Sequence, residues 1–319
     1  METRCIFRYW SVLSALVVMT VLSNVAPAQT TTNAPARAGG QQKTTPDQER
    51  IPADHYDPDD LKTYEDVVNE DRSVSIRGHE LVIHLYRPRT RGAAVPAIYA
   101  CGDGGWRGLA PRTAQQLAHF GFAVAGLDSK VYLRELSSAQ DPLTIARLAT
   151  DYTEIARALR PYANVDATTP VYVYGWSLGA GFAVAVGSDM PTRANWAGIV
   201  AIGLPAQNQL VSGLGANHVN LMNSTNARYG FRTEAVMPGL SPVPLVMIQS
   251  TSDTASPPKV GKVLFVAARD PKQYILIKAE NHRFSGARSE FYSALANAMT
   301  WIQQARGNAI PVTAREGSR

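Results

Sequence analysis

A five-residue motif joins an apolar strand directly to an apolar helix in the second half of the sequence. The strand covers residues 171–174 and the helix continues through residues 180–186. A strand-to-helix turn this short holds its serine at a strained backbone angle, and the flanking glycines leave room for neighbouring chain. The motif predicts a reactive serine, and the alternative is a glycine turn around an unreactive one. Its residues are Gly175-Trp176-Ser177-Leu178-Gly179.

Short apolar runs alternate with segments of helical spacing along the rest of the chain. One helix is expected behind Asp141-Pro142, which would supply its N-cap and first residue, and is expected to stop before Pro161. The alternation predicts an α/β fold with a mostly parallel sheet, opened by an antiparallel hairpin and covered by helices on both faces. The predicted strands are residues 73–76, 81–86, 96–100, 122–127, 171–174, 199–203, 245–249 and 274–278, and the remaining helices are residues 111–120 and 288–304.

The first 28 residues are organised as a secretory signal peptide. Arg4 and Arg8 precede an apolar run over residues 11–25, and residues 26–28 (Ala-Pro-Ala) form a small-residue cleavage site. We therefore expect cleavage before Gln29 and a periplasmic or secreted protein. The alternative is an uncleaved membrane anchor, for which the run is shorter than the roughly 20 apolar residues that a spanning helix needs.

Composition divides the remaining chain. Residues 29–66 are rich in Thr, Pro, Gln, Gly and Asp and are expected to be a disordered tether. Residues 67–305 are predicted to form one domain. Within it, residues 204–242 are a long Gly- and Asn-rich connection, expected to act as a lid-like insertion or, alternatively, as a surface loop without function. Residues 306–319 are predicted to be a flexible tail.

The net charge indicates which partners the chain can bind, and the two cysteines limit which disulfides it can form. The formal net charge is +5, and a basic surface favours peripheral contact with an anionic membrane. The densest basic segment, residues 87–91, has no interleaved aromatic residue, so no nucleic-acid partner is predicted. Loss of Cys5 with the signal peptide would leave Cys101 unpaired and exclude an intramolecular disulfide.

Ser177 needs a base and an acid if it acts as a nucleophile, and in such strand-turn-helix sites the acid and then the histidine follow it along the chain. His218 lies in a connection with no strand before it, whereas His282 follows the last predicted strand, so His282 is the predicted base. Asp253 follows the preceding strand by a short loop and is the predicted acid, with an ordinary turn aspartate as its alternative. The carboxylates set aside are Asp189, Glu234, Asp270 and Glu280.

Acyl transfer also requires donors for the oxyanion. The predicted donors are the backbone N–H groups of Leu178 and of Asp103, which lies in a glycine loop behind the strand at 96–100. The Asp103 carboxylate is expected to point away or to bind a substrate ammonium group. The loop lacks the spacing of phosphate-binding motifs, and neither a cofactor nor a metal is predicted. Gly104, Trp106 and Trp176 are predicted to line the substrate site, and Gly102, Gly175 and Gly179 to shape it.

Four segments together resemble the VirJ/AcvB-type family of exported bacterial α/β-hydrolases. They are GDGGW (102–106), GLDS (126–129), YGWSLGA (174–180) and ENHRFSG around His282. The resemblance implies an α/β-hydrolase fold, triad positions for Ser177, Asp253 and His282, and a GDGGW loop at the site. It also implies either hydrolysis of lysyl-phosphatidylglycerol, as in AcvB-like members, or an association with type IV secretion, as in VirJ-like members.

The chain departs from the family pattern at several positions. Leu178 and Gly181 stand where the family usually has Phe and Asp, and Arg283 follows the base where the family commonly has a His-His pair. An additional N-terminal domain, as in AcvB-like members, is not predicted, because only the expected tether lies in that place. These differences concern the lipid substrate rather than the triad.

The sequence therefore predicts an exported serine hydrolase that cleaves a carboxylic ester, with an aminoacyl-phospholipid as the substrate that the resemblance suggests. Two alternatives stay open. One is a non-catalytic envelope protein that binds a secretion-system partner on the same fold. The other is a hydrolase of a soluble ester or peptide.

Overall fold

The computed structural model describes residues 63–90, 92–212 and 229–308. The predicted signal peptide, most of the predicted tether, His218 within the insertion and residues 309–319 lie outside these ranges. No helix within the described ranges is long and apolar enough to cross a membrane.

Eight strands form one sheet in the order β1-β2-β4-β3-β5-β6-β9-β10. β2 pairs antiparallel with both β1 and β4. The remaining neighbours in this sheet, from β4 through β3, β5, β6 and β9 to β10, pair parallel. This arrangement confirms the predicted α/β class, with a parallel sheet opened by an antiparallel hairpin. The strands are β1 (Val67–Ile76), β2 (His79–Pro88), β3 (Val95–Ala100), β4 (Phe122–Leu127), β5 (Val171–Trp176), β6 (Trp196–Ile202), β9 (Leu245–Ser250) and β10 (Lys272–Ile277), with β7 (Gln207–Gln209) and β8 (Gly230–Arg232) as a separate antiparallel pair.

Helices cover both faces of the sheet, which is why its inner strands are continuous apolar runs rather than alternating ones. On one face α3 and α4 pack with α2 and α6, and on the other face α1 and α7 pack together. The helices are α1 (Leu109–His119), α2 (Ser129–Leu136), α3 (Ile145–Ala163), α4 (Leu178–Ser188), α5 (Thr233–Val236), α6 (Pro258–Ala267) and α7 (Arg288–Asn308).

The expected bounds of α3 were wrong at both ends. Thr144, not Asp141, caps the helix, since its side-chain oxygen accepts the Arg147 N–H at 3.1 Å. The helix continues through Pro161 and ends at Asn164, which adopts a left-handed conformation with φ 55°. Pro161 is tolerated because it lies on the exposed side of the last turn, where water can satisfy the carbonyl that lost its partner.

The ends of the domain also differ from expectation. The opening hairpin turns through only Arg77 and Gly78, both with positive φ, so its strands are longer than predicted. α7 runs to Asn308, three residues into the predicted tail, and carries Arg306 in its last turn, where a cation complements the helix dipole. The helices α2 and α6 had not been expected.

Candidate active site

Ser177 occupies the turn between β5 and α4 in a backbone conformation that is strained for an L-residue, with φ 54° and ψ −118°. Its N–H donates to the Ile202 carbonyl at 2.9 Å. A methyl group built on Gly175 would lie 2.0 Å from the Gly179 carbonyl oxygen, and one built on Gly179 would lie 2.1 Å from the Ala100 carbonyl oxygen. Only glycine fits at either position, so these two residues let β3 and α4 close around the serine. The serine itself remains partly exposed.

The glycine loop after β3 lies against the serine and is held by Asp128. A methyl group built on Gly102 would lie 3.2 Å from Ser177 Cβ. One oxygen of Asp128 caps α2 by accepting two of that helix's N–H groups. The other accepts the backbone N–H of Trp106 at 3.0 Å. Asp128 therefore ties the start of α2 to the loop and fixes the loop beside the serine.

The Trp106 side chain anchors the same loop to the sheet. A methyl group built on Gly126 would lie 2.1 Å from Trp106 Cη2, so the indole occupies the space that this glycine leaves open. The indole also stacks on the His84 ring, with centroids 4.7 Å apart and planes 15° apart. These contacts are with the scaffold, and the role of Trp106 in substrate binding stays a prediction.

Two backbone N–H groups, one on Leu178 directly after Ser177 and one on Asp103 directly after Gly102, have no acceptor in the described part of the chain. Leu178 is the first residue of α4, where the helix dipole favours negative charge. The Asp103 side chain is exposed and makes no ion pair in the described part of the chain. Both N–H groups are therefore free to bind an oxyanion.

Asp253 lies in the turn after β9 with its carboxylate fully buried. Its Oδ2 is 2.6 Å from His282 Nδ1. The Gln249 side chain donates to the same oxygen at 2.8 Å, and the Ser256 N–H donates to Oδ1 at 2.7 Å. These two donors fix the orientation of the carboxylate, which in turn orients the imidazole through Nδ1.

His282 lies in a tight turn after β10. The Asn281 side-chain oxygen accepts the N–H groups of the two residues Arg283 and Ser285 at 2.9 and 3.4 Å, which closes the turn. The Trp176 indole donates to the His282 carbonyl at 3.3 Å, and the two rings lie 5.4 Å apart. His282 Nε2 is buried and has no hydrogen-bond partner among the described residues. The ring is thus oriented from Nδ1, and Nε2 is left free.

The carboxylates that the sequence set aside lie elsewhere. Asp189 is the C-cap residue of α4 and accepts hydrogen bonds from Thr192. Glu234 lies in the short helix α5, and Asp270 precedes β10. Glu280, although only two residues before His282, is exposed, and its carboxylate lies beside Gly286. Among the described carboxylates, Asp253 alone pairs with His282.

Sequence reasoning missed three residues that shape the site. Gly203 has φ 55°, and a methyl group built on it would lie 2.6 Å from His282 Cε1. Gln249 orients the buried acid, and Asp128 fixes the glycine loop. The signal for Gly203 was its place directly after a buried strand, and that for Asp128 was its place before an unrecognised helix.

Cys101 lies beneath the site and is fully buried. Burial raises the pKa of its thiol to about 12, so the group stays protonated and unreactive at neutral pH. In the described ranges, no three side chains of His, Cys, Asp or Glu are grouped so that they could hold a metal ion.

Comparison with known proteins gives a family match over part of the chain and a set of similar folds. Residues 94–209 match the family described as "Bacterial virulence protein (VirJ)", which confirms the resemblance to VirJ/AcvB-type proteins over that segment. No curated protein matches the sequence.

Three solved structures are similar to the chain. The dienelactone hydrolase from Anabaena variabilis is 17% identical, with a TM-score of 0.51, 74% of this chain and 98% of that chain covered. Est1E from Butyrivibrio proteoclasticus is 14% identical, with a TM-score of 0.52 and coverage of 73% and 99%. DcsB, solved with a substrate analogue, is 15% identical, with a TM-score of 0.55 and coverage of 76% and 99%. These likenesses show that the chain has the α/β-hydrolase fold.

Proposed function

We propose that this chain, whose residues 94–209 match the VirJ family, is a serine hydrolase that cleaves carboxylic esters. The observation that carries the proposal is the 2.6 Å contact between Asp253 Oδ2 and His282 Nδ1, which leaves a buried His282 Nε2 without a partner. A strained serine lies at the end of β5, which β6 separates from β9 in the same sheet. A base that is oriented on one nitrogen and free on the other suits proton transfer from a serine.

In the proposed first step, His282 Nε2 takes the proton of the Ser177 hydroxyl while Oγ attacks the ester carbon. Asp253 keeps the tautomer with the proton on Nδ1 and stabilises the imidazolium that forms. The C–O bond to the alcohol then breaks, and the imidazolium gives its proton to the departing oxygen. In the second step His282 removes a proton from water, which attacks the acyl carbon; the C–O bond to Ser177 then breaks, the imidazolium returns the proton to Ser177 Oγ, and the acid is released.

The negative charge that develops on the carbonyl oxygen would be bound by the N–H groups of Leu178 and Asp103. Their lack of other acceptors supports this assignment, because donors already aimed at the developing charge need no rearrangement during the reaction. The contact between Ser177 and His282 would form only with substrate in place, as catalytic hydrogen bonds often do.

For the substrate we propose an aminoacyl-phospholipid, similar to lysyl-phosphatidylglycerol, hydrolysed at the membrane surface by an exported enzyme. The resemblance to AcvB-like proteins suggests this class. The exposed and unpaired Asp103 carboxylate next to the proposed oxyanion site supports it, since an aminoacyl group carries an ammonium. Basic net charge would favour an anionic lipid surface.

The second candidate is a non-catalytic envelope protein that binds a type IV secretion partner. The match to a family described as a virulence protein favours it. Turnover separates the two candidates. We expect wild-type protein to hydrolyse 4-nitrophenyl butyrate, and Ser177→Ala or His282→Ala to lower kcat at least about a thousandfold. A loss below about tenfold in both variants, with folding retained, would exclude the triad.

A further inference from the structure

We propose that Arg107 selects esters that carry an anionic group close to the reacting carbonyl. This inference rests on the proposed hydrolase function and adds a specificity-determining residue to it. Arg107 belongs to the same loop as Gly102, the residue that lies against Ser177, and as Asp103, the proposed oxyanion donor.

The Arg107 guanidinium lies beside Gly104 of this loop. A methyl group built on Gly104 would lie 3.8 Å from Arg107 Nε and 3.8 Å from Arg107 Nη2. These two nitrogens form one edge of the guanidinium, with parallel donors that match a carboxylate or phosphate. Gly104 has no side chain that could cover that edge, and Arg107 is exposed.

The charge of Arg107 is not neutralised within the described part of the chain. Arg107 is exposed and makes no ion pair there. Asp128, the acid that holds the loop, already accepts backbone N–H groups on both carboxylate oxygens. Asp103 is unpaired as well, so the two loop charges do not cancel each other through a salt bridge.

These features distinguish Arg107 from an ordinary surface arginine such as Arg157. Arg157 lies on α3 and pairs with Glu154 at 2.7 Å. Arg107 instead presents an unpaired fork of donors a few residues from the proposed oxyanion site. A substrate anion bound there would gain a charge-assisted pair of hydrogen bonds, which are stronger than neutral ones. The ligand chemistry is a carboxylate or phosphodiester attached to the ester.

Two pairs of esters test the proposal and locate the anion. Mono-4-nitrophenyl succinate and 4-nitrophenyl butyrate differ in charge on the acyl side. The butyryl ester of 2-hydroxyethyl methyl phosphate and that of 2-methoxyethanol differ on the alcohol side. We expect wild-type protein to favour the anionic member of at least one pair about tenfold to a hundredfold in kcat/KM, chiefly through KM. The pair that shows the preference identifies the side of the ester.

We expect Arg107→Gln to abolish this preference and leave the neutral esters within about threefold, since only the charged contact is lost. Arg107→Lys should keep part of it, because the charge remains without the fork. Arg157→Gln, which changes net charge equally, should keep all of it.

No preference in either pair, or a preference that Arg107→Gln retains, would overturn the inference. Such a result with the neutral esters still hydrolysed through Ser177 would leave the proposed function intact. Failure to hydrolyse any of the four esters would instead contradict the proposed function itself.

Discussion

The two halves of the site are built by different means. Residues 94–209 supply the serine and the glycine loop; glycines packed against main chain shape the serine turn, and Asp128 and Trp106 hold the loop. Residues 229–308 supply Asp253 and His282, which side-chain hydrogen bonds hold in place. A nucleophile in a strained turn constrains the backbone, whereas an acid and a base need only the right positions at two strand ends.

This difference predicts different responses to mutation. Substitutions of Gly175 or Gly179 in the first half should damage folding and activity together, because these two glycines touch main chain. Substitutions in the second half should damage activity while the fold persists, because the groups there are loops and side chains beyond the strand ends.

The largest effect on activity is expected from Asp253→Asn. An amide cannot hold the imidazole in the required tautomer or stabilise the imidazolium, so kcat should fall about 10³- to 10⁴-fold. Circular dichroism and urea unfolding should show a folded protein. Asp189→Asn, a carboxylate at the far end of α4, serves as control and should change kcat by less than about twofold. An equal effect of both variants would contradict the assignment of the acid.

The largest effect on stability is expected from Gly179→Ala. The added methyl group would lie 2.1 Å from the Ala100 carbonyl oxygen, so β3 and α4 must move apart. We expect the free energy of unfolding in urea to fall by about 3 kcal/mol or more, with loss of ester hydrolysis. Gly92→Ala has open space around it and should stay within about 0.5 kcal/mol of wild type. A Gly179→Ala variant that stays stable and active would contradict the proposed difference between the two halves of the site.

Gly203→Ala tests a contact between the two halves, because Gly203 lies in the first half and packs against His282 of the second. The methyl group would lie 2.6 Å from His282 Cε1, and φ is 55°, so the imidazole must shift. We expect kcat to fall about tenfold to a hundredfold, since misplacing a catalytic group by about 1 Å has this effect. Stability should fall by only about 1 kcal/mol, the cost of a non-glycine residue at positive φ. Unchanged kcat would show that the imidazole position is not critical.

The sequence predicted the first half of the site better because its signal is local. The GxSxG turn (175–179) and the GDGGW loop (102–106) are each visible within five consecutive residues, and the structure places Gly102 against Ser177. Asp253 and His282 could be identified only by chain order and elimination, since neither has a distinctive neighbourhood. Gln249 carried no usable signal, and Gly203 carried only its place after a buried strand, because the roles of both depend on contacts with residues that the sequence does not show to be close.

The fold was predictable where burial dominates and unpredictable where side chains compete at helix ends. The inner strands β3 to β6 are buried apolar runs and were found. At the start of α3, the N-cap is Thr144 rather than Asp141, because the Thr144 side-chain oxygen accepts the Arg147 N–H. At its end, exposure of Pro161 removed the penalty that would otherwise stop a helix there.

The smallest predicted effect is on the pH dependence of stability. It concerns Cys101, which lies in the same half of the site as Ser177. Burial raises the pKa of the thiol from 9.0 to about 12, so between these values the native protein keeps a proton that the unfolded chain has lost. The free energy of unfolding should therefore decrease as pH rises from 9 to 12. Cys101→Ala should show a shallower decrease in urea unfolding over this window. Equal slopes, or alkylation of the native thiol at pH 8, would contradict its burial.

The central claim is that Ser177 is an activated nucleophile, and a neutral fluorophosphonate tests it most directly. Folded protein from residue 29 onward is incubated with the probe, and intact mass and peptide mapping locate the adduct. The account predicts one adduct, on Ser177, that is absent in Ser177→Ala and strongly slowed in Asp253→Asn and His282→Ala. An unlabelled wild-type protein that also leaves 4-nitrophenyl butyrate intact, or an adduct on another residue, would contradict it.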